Sequence, residues 1–148
     1  MEISHVTKGA VLFLRITMGW LLTYMGISAF KNSAWSLHAT FANSTTLPHI
    51  YDWLASAKII PIFDAAIPWI LIIVGIAVII GFYLRFFTTI GMVVMVLLYL
   101  PTLHFPFTSD GGYLVNHYVI YFIVLLLLSA IHAGSFLGID KKIIVKVE

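Results

Sequence analysis

Few of the 148 residues can take up, release or stabilise charge, and the apolar sequence around them makes their positions informative. Arg15 stands inside an apolar run, about two helical turns beyond Lys8. A charge near the middle of a membrane helix costs roughly 2.5 to 3.5 kcal/mol, so Arg15 faces a protein interior, snorkels to the nearer surface or bonds to helix backbone. On a helical wheel Arg15, Gly19, Leu22 and Gly26 fall within about 60° of one another, a small-residue groove with a cationic floor. A second stripe joins His117, Tyr121, Leu125, Leu128, His132 and Ser135 at spacings of three and four. Imidazoles exchange protons near neutral pH, which makes His117 and His132 the candidate acid–base groups. About 22 Å of helix separates them, so they cannot ligate one metal ion, and no metal site is expected.

A further set, Lys31, Asp64, His104, Asp110, Asn116 and His117, comes to similar depth near the opposite ends of the apolar runs. It reads as a reaction pocket, a proton path or wet surface. His104 and His117 taken singly are as well explained as interfacial polar residues; as a pair they raise axial haem ligation, which nothing else in the sequence supports. The absence of cysteine removes thiolate ligands, iron–sulfur clusters and sulfur nucleophiles, so any redox chemistry needs a bound cofactor or a partner.

What must position these groups is a bundle of membrane helices. Hydrophobic residues make up 61% of the chain, charged residues 9%, and mean hydropathy is +1.06, which leaves too little polar surface for a dissolved globule of this size. Four stretches approach the roughly 20 apolar residues that a spanning helix needs: about 9–30, 62–84, 86–103 and 114–137. The reading is an all-α integral membrane protein, a single domain over 1–148, with four transmembrane helices and a long outer loop at 31–61. That loop carries Trp35, Trp53, Tyr51, His38 and His49, a headgroup-region composition, and part of it suits short amphipathic helices along the membrane surface. Helices two and three meet at Arg85 in a tight hairpin.

With four spans both termini share a side. Lys8, Arg85, Lys141, Lys142 and Lys146 collect there against Lys31 and Lys58, which puts the termini in the cytoplasm of a plasma-membrane protein. The net charge of +2 comes from scattered Lys and Arg without an aromatic-interleaved basic patch, so nucleic acid is not an expected partner. Asp64, Pro68, Leu71 and Gly75 share one face of helix two, and Thr88, Gly91, Met95 and Thr102 one face of helix three. Packed against the Arg15 and His117 stripes, these faces enclose a partly polar interior, where bundles commonly bind ligands. Trp69 beside Pro68 is a packing aromatic or a platform for a planar ring.

Taken in order, Leu14-Arg15-Ile16 with Gly19 and Gly26, then Gly81-Phe82-Tyr83-Leu84-Arg85, then Asn116, Ala133-Gly134 and Leu137-Gly138-Ile139-Asp140 resemble the DoxX/DoxD family over nearly the whole chain. The long first loop, with Asn32, Trp35, Leu47-Pro48 and Trp53-Leu54, looks more like the DoxD branch. Ala29 stands where that family commonly has a lysine, with Lys31 two positions on, and Leu71 stands near its usual helix-two acid, with Asp64 the nearest carboxylate. The resemblance implies a membrane subunit passing electrons from a small sulfur compound such as thiosulfate to the quinone pool. On that reading Arg15, Gly19, Gly26, Tyr121, His132 and Trp69 form the quinone site, with Arg15 stabilising charge on a quinone oxygen, His132 or His117 exchanging protons, and Asp64 a further candidate acid. Lys31, His104 and Asn116 receive the anionic donor from outside. A second oxidoreductase subunit or another copy of the chain remains open as partner. The competing classes are a non-catalytic membrane anchor docking through small-residue faces, and a small transporter, against which the lack of an inverted repeat argues.

Overall fold

A computed structural model describes residues 5–32, 35–105, 107–108 and 113–131. The order is α1 (His5–Lys31), α2 (His38–Ala42), α3 (Pro48–Leu54), α4 (Ile60–Ile80), α5 (Leu84–Tyr99), a 3-10 turn (Leu100–Thr102), the two-residue strands β1 (Leu103–His104) and β2 (Phe107–Thr108), and α6 (His117–Ala130). The strands pair antiparallel, a small exception to the all-α expectation. Segments Val6–Lys31, Ile60–Ile80 and Leu84–Thr102 are long and apolar enough to cross a membrane; α6 is apolar and shorter within the described residues.

Lipid-facing surface is recognisable because it is apolar and uncovered. Phe13, Ile73, Val93 and Ile123, one from each of α1, α4, α5 and α6, are 72%, 51%, 63% and 56% exposed. A water-soluble monomer does not keep such a belt of bare side chains. Inside, Leu22, Val74, Val78, Met95, Leu125 and Leu128 are fully or almost fully buried and fill the bundle centre.

Glycine sets how closely α1 and α4 approach. The pair is antiparallel, with Gly19 against Gly75 and Gly26 against Pro68; a Cβ on Gly19 would meet the Gly75 carbonyl oxygen at 2.6 Å, and one on Gly26 the Pro68 carbonyl oxygen at 2.6 Å. Hydrogen alone fits between such backbones, and their dispersion contacts reward the approach in lipid. At Gly91, Leu125 of α6 and Val74 of α4 press into the space of the missing side chain.

Helix ends differ from expectation for local reasons. The second long helix stops at Ile80, not 84, because Gly81 takes φ 74° and its amide and that of Phe82 close on the Ala77 carbonyl, a glycine C-terminal cap. The hairpin turn is therefore Gly81–Tyr83, and Arg85 lies in the first turn of α5. The third long helix gives way at Leu100–Thr102 to a 3-10 turn containing Pro101. α6 begins at His117, not 114, because Asn116 caps it: its side-chain oxygen accepts from the Tyr118 and Val119 amides. The expected stretch 132–137 of this helix, including His132, lies outside the described residues.

The loop between the first two long helices is a folded cap. α2 and α3 turn Phe41, Tyr51 and Leu54 inward, and the Phe41 ring lies 5.3 Å from Tyr51 and 6.3 Å from Phe63 of α4. Tyr51 Oη donates to the Leu97 carbonyl of α5 at 3.1 Å, and Thr45 and Thr46 donate to the Leu103 carbonyl at 3.1 and 2.9 Å. Surface-lying amphipathic helices would bury these faces in headgroups; here they are buried in protein.

Candidate functional site

The bundle has a cap end, where α1 finishes and α6 begins, and a hairpin end at Gly81–Tyr83. At the cap end a cavity of about 410 Å³ opens among α1, α4, α5, α6 and the segment leading into α2. Its apolar floor is Met25, Ile67, Leu71 and Leu98. Its polar wall is Ser28, Ser36, Thr40 and Thr102, with the rings of Trp35, His117 and Tyr118. The volume lies toward the small end of the range for small-molecule pockets, about 300–1,000 Å³.

Tertiary hydrogen bonds hold this wall. Asp64, near the start of α4, accepts from Ser36 Oγ at 2.7 Å and from the Leu37 amide at 2.8 Å, fixing the segment over the cavity. Asn116, while capping α6, donates from Nδ2 to Thr102 Oγ1 at 3.1 Å, and that hydroxyl donates to the Tyr99 carbonyl at 2.7 Å. One buried amide thus ties the start of α6 to the end of α5.

The same bonds decide what the cavity offers a ligand. Ser28, Ser36 and Thr102 already donate to the Met25 carbonyl, Asp64 and the Tyr99 carbonyl. Each hydroxyl carries one proton, so donors toward a ligand fall to Trp35 and Thr40, beside the rings of His117 and Tyr118. His117 is exposed, with its ring 4.0 Å from that of Tyr118 and 5.7 Å from that of Tyr121. The cavity therefore combines an apolar floor, the N–H of Trp35, the O–H of Thr40 and an exposed imidazole.

Of the residues singled out from sequence, His117 lines this cavity, and Asp64 and Asn116 support it as structural groups. Lys31 is exposed and lines a neighbouring open cleft of about 360 Å³ with Tyr24, Ile27, Ser28 and Asn32; Ser28 borders both spaces. Tyr121 lies one turn along α6 from His117 and is half-buried. His104 is exposed on β1, its Nδ1 3.3 Å from the Thr102 carbonyl, and does not line the cavity.

Packing corrects two expectations and limits a third. The Gly19–Gly26 groove is closed by α4, whose backbone occupies the space assigned to a ring. Trp69 is 58% exposed and meets Phe30 edge-on at 5.2 Å, on the outside of the bundle. Arg15 is buried, 3% exposed, and thirteen residues and about 20 Å of helix separate it from Ser28 at the cavity, too far to share a small ring with His117; His132, the other candidate beside it, lies outside the described residues. Its Nε is the one buried side-chain nitrogen or oxygen among the described residues that has no hydrogen-bond partner, although the residue engages in other interactions. The polar faces expected in the bundle centre are likewise spent locally: buried Thr88 donates to the Leu84 carbonyl at 2.8 Å. Among the described residues no three His, Asp or Glu side chains gather as metal ligands.

Sequence reasoning passed over Ser28, Ser36, Thr40 and Tyr118 at this site. The signal within reach was Asn116, whose side chain two residues ahead of Tyr118 marks a helix start and hence a fixed position for His117 and Tyr118. No protein-family model matches the chain, and no match is found among the curated proteins or the solved structures.

Proposed function

We propose that this chain is the membrane subunit of a quinone-linked oxidoreductase, taking electrons from a small sulfur compound such as thiosulfate, and that the quinone ring binds in the cap-end cavity. The observation that carries the reading is the composition of that cavity: apolar on Leu71 and Leu98, aromatic on Trp35 and Tyr118, and provided with N–H and O–H donors beside an imidazole. A ring with carbonyl oxygens needs an apolar bed, a face to stack on and a few donors. A bound quinone supplies the capacity to take up two electrons and two protons.

The chain's own residues then have separable tasks. Trp35 and the ring of Tyr118 pack against the quinone ring, and Thr40 donates to one of its oxygens. His117, in reach of water, passes protons between solvent and the pocket. Lys31 attracts the anionic donor at the adjoining cleft. Joining two thiosulfate ions through a new S–S bond releases two electrons, the number that one quinone takes up. Arg15, about 20 Å of helix from the cavity, is left out of the ring site that sequence reasoning assigned it to.

In this reading α6 is the fourth crossing of a plasma membrane. The register of α1 on α4 brings Lys8 and Arg85 to the hairpin end and leaves Lys31 and Lys58 at the cap end, which supports cytoplasmic termini and an outward-facing cap. The anchor reading loses support because Gly19, Gly26 and Gly75, the small residues it needs on an exposed seam, are used between α1 and α4.

The test is a titration of the purified protein in nanodiscs with a short-tailed benzoquinone, following tryptophan fluorescence, together with an organic extract searched for quinone. Saturable quenching that Trp35→Phe removes supports the site. Quenching unchanged in that variant, or none at all, rejects it.

A further inference from the structure

A further cavity, of about 210 Å³, lies in the seam between α5 and α6, lined by Met95, Val96, Tyr99, Tyr118, Val119 and Phe122. Tyr118 is on the wall of this space and of the cap-end cavity alike, so the two spaces adjoin at this residue. We propose that the seam holds the apolar tail of the ligand whose ring occupies the cap-end cavity, an inference that rests on the quinone reading above and adds the path of the isoprenoid chain.

Three features make the seam suit a hydrocarbon tail. The Tyr99 hydroxyl is already committed: its Oη donates to the Leu114 carbonyl at 2.6 Å, which leaves only the ring of Tyr99 as wall. Val96, 41% exposed, is on its outer side, whereas Met95, 1% exposed, is its floor, so the groove runs from the outer surface of the helices toward the bundle centre. At its cap-end limit it meets Tyr118, beyond which the lining changes from apolar to one that includes Ser28, Ser36, Thr40 and Thr102, the polarity order along an amphiphile with a polar ring and an apolar tail. An acyl chain of a bulk phospholipid shares the tail chemistry but has no ring to place beyond Tyr118, and is the occupant the experiment must separate.

The experiment uses the whole chain in nanodiscs and two quinones with the same ring, one without a tail and one with a tail of two isoprene units. Wild type and Val119→Trp are titrated with both, and the ratio of the two affinities is compared, which cancels the tailed compound's partition into lipid. Filling the seam is expected to lower affinity for the tailed quinone about tenfold and to leave the tailless one unchanged. Equal effects on both, or on neither, overturn the tail path while leaving the ring site standing. Failure of the tailless quinone to bind wild type removes the ring site and the tail path together. A photoreactive group at the end of the quinone tail gives a measurement independent of the variant: labelling within 95–99 and 118–122 supports the proposal. Labelling of those residues by an acyl-chain photoprobe that excess tailed quinone fails to displace overturns it.

Discussion

Asp64 grips the segment entering α2 with both carboxylate oxygens: Ser36 Oγ donates to Oδ2 at 2.7 Å and the Leu37 amide to Oδ1 at 2.8 Å. Sequence reasoning counted this carboxylate among the catalytic candidates, yet its two oxygens are engaged in holding the cavity wall. Removing it in Asp64→Ala should cost about 1–3 kcal/mol of stability, the scale of hydrogen bonds to a charged group, and should weaken any ligand of the cap-end cavity. Asp64→Asn keeps an acceptor for the Leu37 amide and should fall between. Thermal unfolding in detergent and quinone titration measure the two effects, and an Asp64→Ala protein binding as tightly as wild type would mean that the clamp does not shape the site.

The α1–α4 contact predicts unequal tolerance among glycines. Gly26→Ala should destabilise by about 1–3 kcal/mol, because the new methyl meets the Pro68 carbonyl at 2.6 Å and backbone cannot swing aside as a side chain can. Gly9→Ala, where nothing lies within 4 Å, should be neutral or slightly stabilising. Comparing melting temperatures of the two variants checks this, and equal tolerance would contradict the close approach.

Burial raises the Tyr51 phenol above its ordinary value near 10. The folded protein therefore holds this proton more tightly than the unfolded chain does. The stability so gained is fully present below pH 10 and is lost as pH rises from there through the raised value. Stability should fall on the alkaline side, and Tyr51→Phe should flatten that fall while losing about 1 kcal/mol with the bond to the Leu97 carbonyl. Unfolding followed from pH 8 to 11 in both proteins reads the difference.

Asn116 has two roles that substitution can separate. Asn116→Ala removes the cap of α6 and the bond to Thr102, with an expected loss of about 1–2 kcal/mol. Asn116→Asp preserves the capping acceptor and removes the donor toward Thr102 Oγ1, so it should recover much of the stability. Circular dichroism melting of both variants tests the order, and an aspartate as damaging as alanine would put the weight on the Thr102 bond.

Local chemistry carried its own signatures. The long apolar runs and the charge of Arg15 within one of them could be read along the chain, because hydropathy depends on residues within a turn or two of one another, whereas the Gly81 stop and the Asn116 cap shifted the expected helix ends by three or four residues. Helix periodicity also brought Gly19 and Gly26 onto one face with Arg15.

What that face meets is a tertiary matter. A small-residue stripe serves a ligand or a neighbouring helix equally well, and only the arrival of Gly75 and Pro68 of α4 turned it into a packing seam. Likewise nothing near Ser36 in sequence announces Asp64, twenty-eight residues away, or joins Ser28, Thr40, Thr102 and Tyr118 in one wall. Sequence by itself determined the solvent, the long apolar helices and the candidate chemical groups, since those follow from composition and short-range geometry. The tertiary structure alone decided that the cap is folded, that the bundle centre is filled and that a cavity opens at the cap end, because those depend on which surfaces meet when separate helices pack.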